Sequence, residues 1–164
     1  MSTHQLGPAN GSLRVNTTRQ GVAAKVGHDL AIEVQTWEAT LNTDGADPTL
    51  ELSADGSSLK VVDGHGGAKP LSDGDRKKID KNVDKDVLGG KPIRFQSTGP
   101  GAGDLELAGT TRPAAFDLKI ADDGTFTGHA KVVQSEWGIK PYSAMMGALK
   151  VADEVEIAIE GKLP

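Results

Sequence analysis

The sequence predicts a mainly β protein: an eight-stranded, up-and-down antiparallel barrel with one amphipathic helix, at about residues 73–88, lying outside it. Three observations carry that expectation. Short segments in which apolar and polar residues alternate recur along most of the chain, turn signals rich in Gly, Asp, Asn and Pro separate them, and one stretch in the middle has helical spacing instead. Twenty-one glycines and an aromatic content of 4% suit many short strands joined by tight turns. Consecutive hairpins that each carry one apolar face leave exposed edges, and a sheet that closes on itself removes them.

Residues 1–10 carry no alternation and are expected to form a flexible tail of a single domain spanning 1–164. Leu13, Val15 and Thr17 then alternate with Arg14, Asn16 and Thr18. In "AAKVGHDLAIEV" (23–34) a run of small residues leads through Gly27 to His28 and Asp29, after which Leu30, Ile32 and Val34 share one strand face. The parity flips next, because Trp37, Ala39 and Leu41 are odd-numbered; a bulge or bend near Gln35–Thr36 returns them to the same apolar side. Turn signals follow at Asn42–Gly45 and Asp47–Pro48, and Leu50, Leu52 and Ala54 form the next face. Asp55–Gly56 is either a turn or a break in one long strand that resumes at Leu59 and Val61.

The segment "PLSDGDRKKIDKNVDKDVLGGKP" sets Ile79, Val83 and Val87 at i, i+4 and i+8, offers Ser72 and Asp73 as caps, and stops at Gly89–Gly90 and Pro92. Its apolar stripe is narrow, so the helix is expected to lie on the domain as a lid, with the charged face from Asp75 to Asp86 in solvent. Strand rhythm returns at 93–98, 104–109, 114–120, 125–133 and 154–161. Phe116, Leu118 and Ile120 face one way, as do Phe126, Gly128, Ala130 and Val132, and as do Val155, Ile157 and Ile159. The "ADDGT" turn (121–125) joins two neighbours directly.

Composition excludes several classes of function. The net charge is −5, and the 18 basic residues are scattered rather than clustered, so no nucleic-acid partner is expected. No apolar run approaches the ~20 residues of a membrane span, and "MSTHQLGPANGS" lacks the basic and apolar regions of a secretory signal, which gives a cytoplasmic expectation. Without cysteine there are no disulfides, no thiolate catalysis and no sulfur-rich zinc sites. His4, His28, His65 and His129 show neither His-x-His nor His-x-x-x-His spacing. The glycine loop "DGHGGAKP" (63–70) lacks the ending of a phosphate cradle, "SDGD" lacks calcium-loop spacing, and no pair of carboxylates argues for acid–base work. Neither a metal nor a cofactor is expected, and no catalytic residue stands out. His28 and Asp29, adjacent on a strand, point to opposite faces and cannot form a nucleophile–base array between themselves. Asp29 suits a turn cap. His28 either meets a ligand headgroup at the barrel mouth or simply begins the strand.

An eight-stranded barrel has an interior that side chains fill or that holds one small ligand. The residues placed inward or at the mouth include Val15, Leu30, Ile32, Val34, Trp37, Leu50, Leu52, Phe95, Leu107, Phe116, Leu118, Phe126 and Val132 on strands, with Gly128 and Ala130 leaving room beside them. The segment "WGIKPYSAMMGALK" (137–150) adds Trp137, Tyr142, Met145, Met146 and Leu149 in a loop-like context, where the unbranched methionines adapt to an irregular ligand. The alternative is a segment that only seals the barrel end.

Taken in order, "VGHDLAIEVQTWEATL", "SSLKVVDG", "SDGDRKKIDKNVDKDVLGGKPIRFQST", "LELAGTTRPAAFDLKI" and "WGIKPYSAMMGALKVADEVEIAIEG" resemble the YceI-like family of lipocalin-like polyisoprenoid-binding proteins. The turn Gly109–Thr–Thr–Arg112–Pro113 and the approach Ala152–Asp–Glu–Val155 to the last strand carry the resemblance most. It implies a lipocalin-like barrel with an elongated apolar interior, whose ligands are amphiphilic isoprenoid or fatty-acyl molecules. The leading expectation is therefore a non-enzymatic carrier of a polyisoprenoid, isoprenoid quinone or fatty-acyl molecule, with the tail in the barrel and the head met by groups such as His28 or Lys140. At about 0.8 kcal/mol per buried CH₂, a long tail supplies tight binding by itself. Two alternatives stand beside it: a filled barrel acting as a protein-interaction or structural module, and a barrel enzyme using His28 or His129. Whether two copies pair as a homodimer is left open.

Overall fold

The alternating segments do become strands, but they build two sheets rather than one closed barrel. The computed structural model describes residues 3–20, 29–43, 48–65, 72–99, 101–139, 143–144 and 149–163. In chain order the strands among them are β1 (Thr3–Leu6), β2 (Gly11–Thr17), β3 (Arg19–Gln20), β4 (Asp29–Val34), β5 (Trp37–Asn42), β6 (Thr49–Ala54) and β7 (Leu59–His65). After the helix α1 (Asp73–Asn82) come β8 (Ile93–Gly99), β9 (Ala102–Leu107), β10 (Thr110–Ala115), β11 (Asp117–Ile120), β12 (Thr125–Val133), β13 (Ser143–Ala144), β14 (Leu149–Val151) and β15 (Glu154–Lys162).

The first sheet has the order β1-β5-β6-β8-β9-β10 and the second β11-β12-β15-β2-β4-β7, while β13-β14-β3 form a small ribbon. All pairings are antiparallel. No ladder among the described residues joins the two large sheets, so the expected closed eight-stranded barrel is corrected to two six-stranded sheets facing each other. Alternation fixes which face of a strand is buried; it does not say whether the outermost strands pair, and that is why closure was not readable from it.

The chain instead changes sheet at corners. It leaves the second sheet at the end of β4, turns across Gln35–Thr36 and starts the first sheet with Trp37, so that Ile32, Val34, Trp37, Ala39 and Leu41 are all buried despite their opposite parity. It returns across the 3-10 turn Gly56–Ser58, between β6 and β7. The two corners are tied together: the Gln35 amide donates to the Ser58 carbonyl (3.1 Å), the Asp55 amide to the Thr36 carbonyl (3.0 Å), and the Thr36 amide to Ser58 Oγ (3.0 Å). Asp55 caps the turn by accepting from the Ser57 hydroxyl and amide, and these hydrogen bonds hold its carboxyl below the usual carboxylate range.

The flexible tail expected over residues 1–10 is corrected as well. Thr3–Leu6 pairs with β5, from Thr3 opposite Asn42 to Leu6 opposite Ala39, and Leu6 is buried. Four residues are too few for alternation to register.

Ser72 forms a capping box with Asp75, each side chain accepting from the other's amide at 3.1 Å. The helix ends in a π turn over Val83–Val87, where the Leu88 amide reaches back five residues to the Val83 carbonyl (2.8 Å). Ile79 and Val83 pack against the core from outside. Rather than closing a mouth, the helix lies along β7, the border strand of the second sheet. There Asp80 Oδ1 accepts from the Val61 amide (2.9 Å) and Arg76 donates to the Val62 carbonyl (3.4 Å). A sheet border covered in this way is closed to pairing.

Candidate ligand-binding site

The inward face of the second sheet is set by parity and register. Across its centre runs a row of paired residues, Ala130, Ile157, Val15, Ile32 and Val61, contributed by β12, β15, β2, β4 and β7 in turn. Ile32 and Val61 are buried, whereas Ala130, Ile157 and Val15 remain partly exposed. This exposure does not come from either end of the strands. Toward the Gln134–Trp137 turn the next inward residues, Val132 and Val155, are 1% and 9% exposed; in the other direction Leu13 and Ile159 are 3% and 6% exposed. Three apolar side chains in the middle of a sheet are thus not covered by their own neighbours.

The first sheet brings Leu52 and Phe95, a ladder pair, to its inward face, both partly exposed. The Phe95 ring lies over Gly103, where a Cβ would collide with it, so glycine is required at that position. Phe95 meets Phe116 edge to face, with ring centroids 5.2 Å apart and planes at 79°. Phe116 sits at the point where β10 gives way to β11, and Ala114 and Leu118 on either side of it are also partly exposed. The structure therefore brings Phe95 and Phe116 together, with Leu118 two residues beyond Phe116.

Of the other residues placed at the site by sequence, Ile32, Val34, Trp37, Phe126 and Trp137 are buried core residues and Leu30 is half-buried on β4. Leu149 opens β14, opposite Ala144. His28, Lys140, Tyr142, Met145 and Met146 lie outside the described residues. His129 is on the outer face of the second sheet, exposed and 3.8 Å from Glu156 Oε1. Ile157 and Ala114 line the partly exposed surface without having been singled out, although the alternation Val155, Ile157, Ile159 marked the first of them as inward.

Trp137 links the sheets. Its Nε1–H donates to the Leu105 carbonyl on β9 at 2.8 Å, and the ring is 2% exposed. The 3-10 turn that presents it, Gln134–Trp137, is held by Asp153. The Asp153 carboxylate accepts from the Ser135 amide (2.8 Å) and hydroxyl (2.5 Å), and its carbonyl from the Gln134 amide (2.8 Å).

Two open depressions lie on the outer faces. One, of about 560 Å³, crosses the first sheet and is lined by Glu38, Glu51, Asp104, Glu106 and Arg94 among others. The second, of about 630 Å³, includes Asn16, Lys131, Asp153, Glu154 and Glu156. The charged and polar wall of the first does not suit an apolar tail, and the second mixes charged groups with Val133, Ala152 and Val155. Among the described residues no group of three or more His, Asp or Glu is arranged to hold a metal ion.

A family model for the YceI-like domain matches residues 8–163. The chain belongs to the YceI-like family. Comparison with the curated proteins finds no match. In this YceI-like domain the two segments that carried the resemblance stand on either side of the Trp137 link. Gly109 (φ 80°) and Ala108 (φ 51°) form the two-residue turn from β9 into β10, and Ala152–Val155 supplies Asp153 to the turn that bears Trp137.

Proposed function

We propose that this YceI-like protein binds and carries an amphiphile with a long apolar tail in the space between its two sheets, and does so without catalysing a reaction. The ligand class is a polyisoprenoid, an isoprenoid quinone or a fatty-acyl molecule. The observation that supports this reading most is the partly exposed inward row Ala130, Ile157 and Val15 on the second sheet, together with Leu52, Phe95 and Phe116, which are also partly exposed, in a molecule whose core is otherwise formed by a large set of buried apolar residues. Apolar surface left uncovered inside a fold is surface that a tail covers favourably. Burial is worth about 25 cal/mol per Å², or about 0.8 kcal/mol per CH₂, so a chain of ten or more carbons needs no specific headgroup contact to be held. Breadth of tail chemistry follows, since aliphatic and aromatic walls discriminate weakly between prenyl and acyl chains.

The test is native mass spectrometry of freshly purified protein, followed by organic extraction and mass identification of what is released. A bound species of prenyl or acyl mass is the expected result and names the ligand class. A clean apo mass that persists after incubation with isoprenoid quinones and fatty acids would falsify the carrier reading and leave a filled sandwich that serves as an interaction module.

A further inference from the structure

We infer that the space between the sheets is reached from the side, through a seam between β10 and β12, and that Trp137 is the latch of that seam; the inference rests on the binding reading just given. β11 pairs with β12 from Ile120 opposite Phe126 to Asp117 opposite His129, and there the ladder stops. Continued register would place Phe116 beside Ala130, Ala115 beside Lys131 and Ala114 beside Val132. Those pairs do not form, although β10 runs next to β12 with Cα atoms within 8 Å. The Phe116 amide turns the other way and donates to the Gly101 carbonyl at 3.0 Å. Pro113, opposite Asp104 of β9, has no N–H, and a proline is accommodated in a ladder where its nitrogen faces away from the paired neighbour, here toward the seam.

Parting any two neighbours within the second sheet breaks ladder hydrogen bonds; parting β10, at the edge of the first sheet, from the C-terminal half of β12 breaks none. The seam has fixed limits. At one end the chain itself crosses it through Phe116, and at the other the Trp137 indole reaches over from the end of β12 to the Leu105 carbonyl. The exposure pattern runs the same way. Along the central row Ala130, nearest the seam, then Ile157 and Val15 are partly exposed, and Ile32 and Val61 farther in are buried, while in the flanking rows Val132, Val155, Leu13 and Ile159 are buried and the partly exposed members are Leu118, beside the seam's Phe116, and Leu30 on β4.

The experiment uses the full chain, which has no native cysteine, carrying A115C and K131C, two exposed positions that a continued β11–β12 register would set opposite each other across the seam. Uptake and release of cis-parinaric acid, an intrinsically fluorescent C18 fatty acid, are followed by stopped flow with the pair oxidised and reduced. Oxidation is expected to slow uptake and release of preloaded probe together, by tenfold or more, with equilibrium affinity unchanged. Equal rates in the two states overturn the seam as the route. Trp137→Phe keeps an aromatic side chain, smaller than the indole, and removes the donor, and is expected to raise both rates severalfold at constant affinity; unchanged rates in a variant whose circular dichroism matches the parent overturn the latch, independently of whether the cysteine pair folds. If the unsubstituted chain takes up no probe at any concentration, it is the binding reading that fails, and the seam inference falls with it.

Discussion

Ala108 is the only non-glycine residue with positive φ among the described residues, and it stands at the first central position of the β9–β10 turn, ahead of Gly109. Both central residues of such a turn need positive φ, which suits Asn-Gly and strains Ala by about 1 kcal/mol. Ala108→Asn is therefore expected to stabilise the protein by about 0.5–1 kcal/mol, read as a rise in the thermal midpoint of about 1–4 °C by circular dichroism. A lower midpoint would show that the turn is not strained. The same residue shows how a local feature escapes sequence reading. Leu105, Leu107 and Gly109 continue the alternation through 104–109, so the expected strand is displaced two residues toward the C-terminus from Ala102–Leu107, and alanine gives no sign of a turn. At the candidate site parity alone marked Leu118, Phe95 and Phe116 as inward, whereas the Phe95–Phe116 contact depends on two strands whose adjacency no local pattern announces.

Elements with strong periodicity were legible and short ones were not. The helix was expected at 73–88 and runs over Asp73–Asn82 with its π turn to Val87, because cap, stripe and glycine stop agree with each other. β1, β3, β13 and β14 have two to four residues each, too few for a period. β10, "TTRPAA", has a proline and no alternation, which an edge strand tolerates. The parity flip at Gln35–Thr36 was visible, and its meaning as a change of sheet was not; at Asp55–Gly56 the turn is the alternative that the structure has, a 3-10 turn between β6 of the first sheet and β7 of the second. Since Ser72 satisfies the amide of Asp75 and receives its carboxylate in return, Ser72→Ala is expected to cost about 1 kcal/mol of stability in urea unfolding. A change below a few tenths of that would mean that the packing of Ile79 and Val83, and not the cap, holds the helix.

On the scale of the molecule, most pairings that define the sheets are distant in sequence. β15 lies between β12 and β2 at the centre of the second sheet, with Glu156 opposite Asn16, 140 residues away. Such topologies fold slowly, on the order of milliseconds to seconds, because long loops must close before the contacts that reward closure exist. Removal of Glu154–Lys162 is expected to abolish cooperative unfolding altogether, since it takes the partner from both β12 and β2 along with Ile157 and Ile159 of the core; a sharp melting transition in the truncated chain would show that the remaining strands form a fold without it. The position of β15 also sets a timing for the cell. It leaves the ribosome after every other described strand of the two sheets, so until Lys162 has been made the pair β11-β12 and the trio β2-β4-β7 have nothing to join them, and the second sheet closes up only as synthesis of its central strand is completed.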